Sequence, residues 1–90
     1  MIKREYHTYL KLGRGLSNNS ITAYEMDFKR LQQYMEEHHI DVVRATFDDL
    51  QAFVFDTFST IQSAKTQARL LSSIHSFYRF LLYHHYIEQD

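Results

Sequence analysis

The sequence predicts an all-α domain, and three observations carry that prediction. There is no proline in 90 residues, and the only two glycines share one short segment, Lys11-Leu12-Gly13-Arg14-Gly15-Leu16-Ser17. Elsewhere apolar residues recur at three- and four-residue steps, the period of a helix with one buried side. Ninety residues make one small domain with a single core and little room for an enclosed substrate cavity, which disfavours catalysis from the outset. The 44% hydrophobic and 23% charged content is that of a chain that folds.

A first helix is expected from about Lys3 to Leu12, with Ile2, Tyr6, Tyr9 and Leu10 along one side. It should stop at Gly13, where left-handed backbone carries no steric penalty. A second should begin after Ser17 or Asn18, both suited to capping free N–H groups, and run to about His38. Ile21, Tyr24, Phe28, Leu31 and Met35 give it the clearest amphipathic stripe, and Glu25 and Lys29 opposite are spaced for an i,i+4 ion pair.

After the loop 38–45, Thr46 followed three residues later by Asp49 is a variant capping box, and Asp48 and Asp49 suit a first turn. Leu50, Phe53, Val54 and Phe58 should form the buried side of this third helix. The fourth and longest should run from about Ser63 to Tyr83. Leu71, Ile74, Tyr78, Leu81 and Leu82 share one side of it, with Leu70 and Phe77 at the margin. Lys65, Arg69, Ser72, Ser73, Ser76 and Arg79 fall within an arc of about 120° on the other.

The formal net charge of -1 gives no overall pull toward nucleic acid or membrane, but its distribution is uneven. In residues 1–16, Lys3, Arg4, Lys11 and Arg14 outweigh Glu5; in residues 45–61, Asp48, Asp49 and Asp56 stand without a base; in residues 62–87, Lys65, Arg69 and Arg79 stand without an acid. With no cysteine, disulfides, thiolate nucleophiles and cysteine-ligated zinc are excluded. No apolar run approaches the roughly 20 residues of a membrane span, and the start has no secretory signal, so a cytoplasmic protein is the default expectation.

Six histidines include the doublets His38-His39 and His84-His85 near Glu36 and Glu88. Neighbours on a helix diverge by roughly 100°, so neither doublet converges on a metal, and surface or helix-end histidines are the expectation. No nucleophile elbow or glycine-rich phosphate cradle is present. Tyr6, Tyr9, Tyr24 and Tyr78 read as half-buried aromatics with hydrated hydroxyls. The basic, serine-rich face of the last helix has three readings on pattern alone: a solvated face, a DNA-facing helix, or a protein contact. Its small serines would let a helix approach a grooved partner closely.

Gly15-Leu16-Ser17, Asn19-Ser20 and Ala23-Tyr24 with Asp27, then Ala45-Thr46 with Asp49-Leu50, then Ala68-Arg69 through Ser76-Phe77-Tyr78-Arg79-Phe80-Leu81, resemble three ordered blocks of one domain. That domain is the amino-terminal core-binding domain of tyrosine site-specific recombinases of the Xer and integrase type. The resemblance covers nearly the whole chain. It implies a four- or five-helix SAM-like bundle that clamps one face of duplex DNA, with the second and fourth long helices near the major groove. Asn19, Ser20, Lys65, Thr66, Arg69, Ser73, Ser76 and Arg79 are then the DNA-side candidates. Lys65, Arg69 and Arg79 would meet phosphates, and Thr66, Ser73 and Ser76 would reach bases only from deep in the groove. The alternative for Arg69 is a salt bridge inside the domain.

The same resemblance implies a separate catalytic domain that forms a 3'-phosphotyrosyl intermediate without metal or nucleotide cofactor, and neighbouring protomers assembled on DNA. None of those catalytic residues is carried onto this chain, whose ending reads as that of a fragment. His75 stands where the family commonly has arginine, so local DNA affinity is expected to be lower or pH-dependent. The link 58–63 lacks the glycine often found there. The competing class of function is a small helical protein-interaction module that docks through Phe77 to Tyr86.

Overall fold

Four α-helices follow one another in the computed structural model, which describes residues 2–84 and 86–87: α1 (Ile2–Thr8), α2 (Asn18–Glu37), α3 (Phe47–Phe58) and α4 (Ala64–Tyr83). There is no strand among the described residues. A π-helical turn, Tyr9–Gly13, continues α1, and a 3-10 turn, Val42–Arg44, leads from α2 toward α3.

Helix starts are set by local chemistry. Ser17 caps α2 by accepting from the Ser20 N–H at 3.3 Å, and Ser63 caps α4 by accepting from the Thr66 N–H at 3.3 Å. At α3 the capping box closes both ways: Thr46 Oγ1 accepts from the Asp49 N–H at 3.2 Å, and Asp49 Oδ2 accepts from the Thr46 N–H at 2.9 Å.

The first helix departs from expectation at its end. The helical run does stop at Gly13, but the left-handed residue is Gly15, at φ 64°. The wide π turn carries the chain further before it reverses, with the Arg14 N–H donating to Tyr9 O at 2.9 Å and the Leu16 N–H to Leu10 O at 3.1 Å. That geometry buries Leu10 completely.

The stripe of α2 packs as its periodicity predicts, with Ile21, Phe28, Leu31 and Met35 buried and Tyr24 half-buried. These residues meet Tyr6 and the inner face of α4, where Leu70, Phe77, Phe80 and Leu81 are enclosed. Phe77 is central, its ring 4.7 Å from Phe28 and edge-on to Tyr6 at 5.3 Å. Helix α3 is attached more lightly: Phe53 is buried, while Leu50, Val54 and Phe58 are only partly covered.

Two surface expectations change. Glu25 accepts from His7 Nδ1 at 2.9 Å on α1 rather than pairing along its own helix with Lys29. Tyr6 and Tyr78 are enclosed rather than half-wet; Tyr78 donates to Val42 O at 2.7 Å, and the Tyr6 hydroxyl is buried near Ser76 with no partner in hydrogen-bond geometry.

Candidate nucleic-acid interface

Helix α4 turns a different side inward from the one its leucines suggest. Leu71 is 48% exposed, whereas Ser73 and Ser76 are buried. The reason is hydrogen bonding, which makes a serine an acceptable interior residue when its hydroxyl is satisfied. Ser73 Oγ donates to Asp27 Oδ2 at 2.6 Å, and Ser76 Oγ accepts from Arg14 Nη1 at 2.9 Å.

Asp27 on α2 is the centre of this polar seam. It is 2% exposed, and Arg69 grips both its oxygens, Nε on Oδ2 at 3.0 Å and Nη2 on Oδ1 at 2.9 Å. The carboxylate raises the pKa of Arg69 further above its already high ordinary value. Arg69 is therefore an intradomain clamp with its side chain 37% exposed, the role that competed with phosphate contact in the sequence. Ser73 and Ser76 do not lie on the outer face where the helical arc placed them.

What the outer face of α4 does present is Lys65, Ala68, Ser72, His75 and Arg79, all exposed and spaced three or four residues apart. They form a straight stripe about 21 Å long, basic at both ends and small in the middle. Beside it opens a cleft of about 550 Å³ lined by Tyr9, Arg14, Tyr24, Ser72, His75 and Arg79. The turn after α1 delivers Arg14 to this cleft, and the bond to Ser76 holds it there. Asn19 is exposed and Ser20 and Thr66 partly so, each in the first turn of its helix.

Arg14 joins the site although it was not a DNA-side candidate, and with it come Ser72, which the sequence placed on the serine-rich arc, and His75, which stands where the family commonly has arginine. The basic bias of residues 1–16 and the serine arc were legible clues, but only the fold brings the two together. The histidines disperse: His38 Nδ1 lies 2.8 Å from Tyr34 O, His84 packs on Phe80, and His85 and Glu88 fall outside the described residues. Among the described residues no group of three metal-ligating side chains gathers, and no helix is long and apolar enough to cross a membrane.

The model of the phage integrase N-terminal SAM-like domain matches residues 4–85. The chain belongs to that family. This SAM-like domain is 38% identical to tyrosine recombinase XerD of Staphylococcus aureus strain N315 over 99% of its own length. It is equally similar, at 38%, to tyrosine recombinase XerD of Staphylococcus haemolyticus strain JCSC1435. It spans 30% of the length of each of these relatives. No solved structure matches the SAM-like domain.

Proposed function

We propose that this domain binds one face of duplex DNA as the amino-terminal clamp of a tyrosine recombinase. The observation that carries the reading is the exposed stripe of α4 running alongside the Arg14 cleft. Lys65, Arg79 and Arg14 supply positive charge for phosphates, and Ala68 and Ser72 leave the helix backbone free to approach a groove. Asn19, Ser20 and Thr66 lie in the first turns of their helices, where the partial positive charge of a helix start favours phosphate oxygens; the Ser20 and Thr66 N–H groups are themselves taken by the Ser17 and Ser63 caps, which leaves their side chains for contact. Arg69, Ser73 and Ser76 act indirectly, by fixing α4 against α2 and Arg14 against α4.

Cleavage and rejoining of DNA belong in this reading to a separate catalytic domain of a cytoplasmic parent enzyme, with other protomers bound at the same recombination site. The test is fluorescence anisotropy with a labelled duplex of about 30 base pairs, titrated from about 25 to 200 mM salt. Wild-type affinity should fall steeply with salt, and Lys65→Gln and Arg79→Gln should each lower the slope of log K against log salt by about one. Binding that ignores salt, or slopes that both variants leave unchanged, would remove the stripe from the interface.

A further inference from the structure

His75 belongs to the basic cleft, yet clamping of DNA as described above gives it no role. It stands exposed in the middle of α4, with Ser72 three residues before it and Arg79 four residues after it on the same side of the helix. Two hollows meet at its ring. One is the cleft of about 550 Å³, where Arg14 and Arg79 are the charged walls and Tyr9 and Tyr24 close the side toward the π turn and α2. The other, of about 490 Å³, brings Arg44 from the 3-10 turn and Tyr78 from α4. Among the described residues, no carboxylate lines either hollow. Asp41 and Asp49, whose charges reach the Tyr78 phenol, are engaged by the Val43 and Thr46 N–H groups at 3.0 and 2.9 Å.

His7 bonds Glu25 and His38 bonds Tyr34 O, but the ring of His75 has no hydrogen-bond partner among the described residues, so its nitrogens are free for a ligand. Arg14 gives one nitrogen to Ser76 and keeps its other donors for the cleft. Such a wall recognises an anion, and in the DNA-binding reading, on which this inference rests, the anion is a backbone phosphodiester. Two guanidiniums would attract it at any pH, whereas an imidazole changes charge between about pH 5 and 8. We propose that a phosphodiester seated between Arg14 and Arg79 draws a proton from solvent onto the ring of His75, so that DNA binding and proton uptake are one event. The anion favours the charged form of the ring beside it. The contribution of His75 is therefore present in acid and is lost as pH rises and the bound ring gives up its proton.

The effect is read as a difference from His75→Gln, which keeps a polar side chain at an exposed position, leaves the other histidines in place and cannot take a charge. Fluorescence anisotropy with a labelled duplex of about 30 base pairs, at about 100 mM salt, should show wild type binding about tenfold more tightly than His75→Gln near about pH 5.5 and about equally near about pH 8. In acid the wild-type slope of log K against log salt should exceed the variant's by about one, and at the higher pH the two should coincide. His75→Arg, which carries the charge permanently, should bind in alkali as wild type does in acid. Calorimetry at about pH 6.5 in two buffers of different ionisation enthalpy should record more proton uptake by wild type than by His75→Gln. A second duplex of unrelated sequence should give the same difference, because phosphate is common to both. A difference confined to one duplex makes His75 a reader of a base edge and overturns the proposal. Equal affinities of wild type and His75→Gln at both pH values overturn it as well, and leave the DNA-binding reading standing. Absence of binding by either protein at every pH and salt removes both together.

Discussion

Asp27 takes three hydrogen bonds from α4 while almost wholly removed from water, and its partners differ in how they tolerate its loss. Without Arg69, a buried carboxylate keeps one serine hydroxyl and no countercharge. Breaking a buried pair in that way costs about 3–5 kcal/mol. Without Asp27, Arg69 can still turn its partly exposed guanidinium to solvent, and the loss should be smaller, about 1–3 kcal/mol. Urea unfolding should therefore rank Arg69→Ala as more destabilising than Asp27→Ala. Replacing the trio together, by Asp27→Leu, Arg69→Met and Ser73→Ala, should restore most of the stability. That folded triple variant should also keep most of the DNA affinity, because the clamp positions the interface without touching it. Loss of DNA binding in a variant that unfolds like wild type would reassign Arg69 to the phosphates.

At the scale of elements, the best test of local control is α3, which has one fully buried anchor, Phe53, and a complete capping box. Thr46→Ala removes the side-chain acceptor for the Asp49 N–H and should cost about 1 kcal/mol. Because α3 is lightly attached, hydrogen exchange should quicken most along Phe47–Phe58 and much less in α4. At Gly15 the left-handed backbone is the whole constraint, since an added Cβ would meet nothing within 4 Å. Gly15→Ala should thus lose about 1–2 kcal/mol in thermal unfolding, and Gly15→Asn less. The left-handed stop falls at Gly15 and not at the expected Gly13, whereas the helix starts were legible in the sequence because Ser17, Thr46 and Ser63 act on N–H groups three residues away. The inward face of α4 was not, because the partners that make Ser73 and Ser76 interior residues stand 46 and 62 positions distant. Periodicity assigns a serine to water and a leucine to the core, and here Leu71 and Ser73 exchange those places. The basic candidates split for the same reason: Lys65 and Arg79 stayed outside, while Arg69 found a carboxylate on another helix.

For the molecule as a whole, Tyr6 and Tyr78 tie stability to alkaline pH. Burial raises both phenol pKa values well above the ordinary 10, while in the unfolded chain each ionises near that value. The native state therefore holds protons that the unfolded state gives up. Their contribution is fully present below about pH 10 and is lost as pH rises from there toward the folded pKa values, at about 1.4 kcal/mol per pH unit for each tyrosine. Tyr34 and Tyr86 are also raised, by bonds to Asp56 and Glu5, but they lie at the surface, where solvent weakens the effect. A domain of this size has about 5–14 kcal/mol in all, so cooperative unfolding with a step in phenolate absorbance should follow within a few pH units above 10. Two substitutions separate burial from bonding. Tyr78→Phe gives up the bond to Val42 and should lose about 1 kcal/mol at pH 7, yet its stability should fall less steeply above pH 10. Tyr6→Phe deletes a buried hydroxyl that has no partner, so it should be neutral or stabilising at pH 7 and flatter at high pH as well. A Tyr6→Phe domain that is weaker at pH 7 would show that Ser76 and Tyr6 share a hydrogen bond in solution, extending the polar seam from Arg14 through Ser76 into the centre of the core.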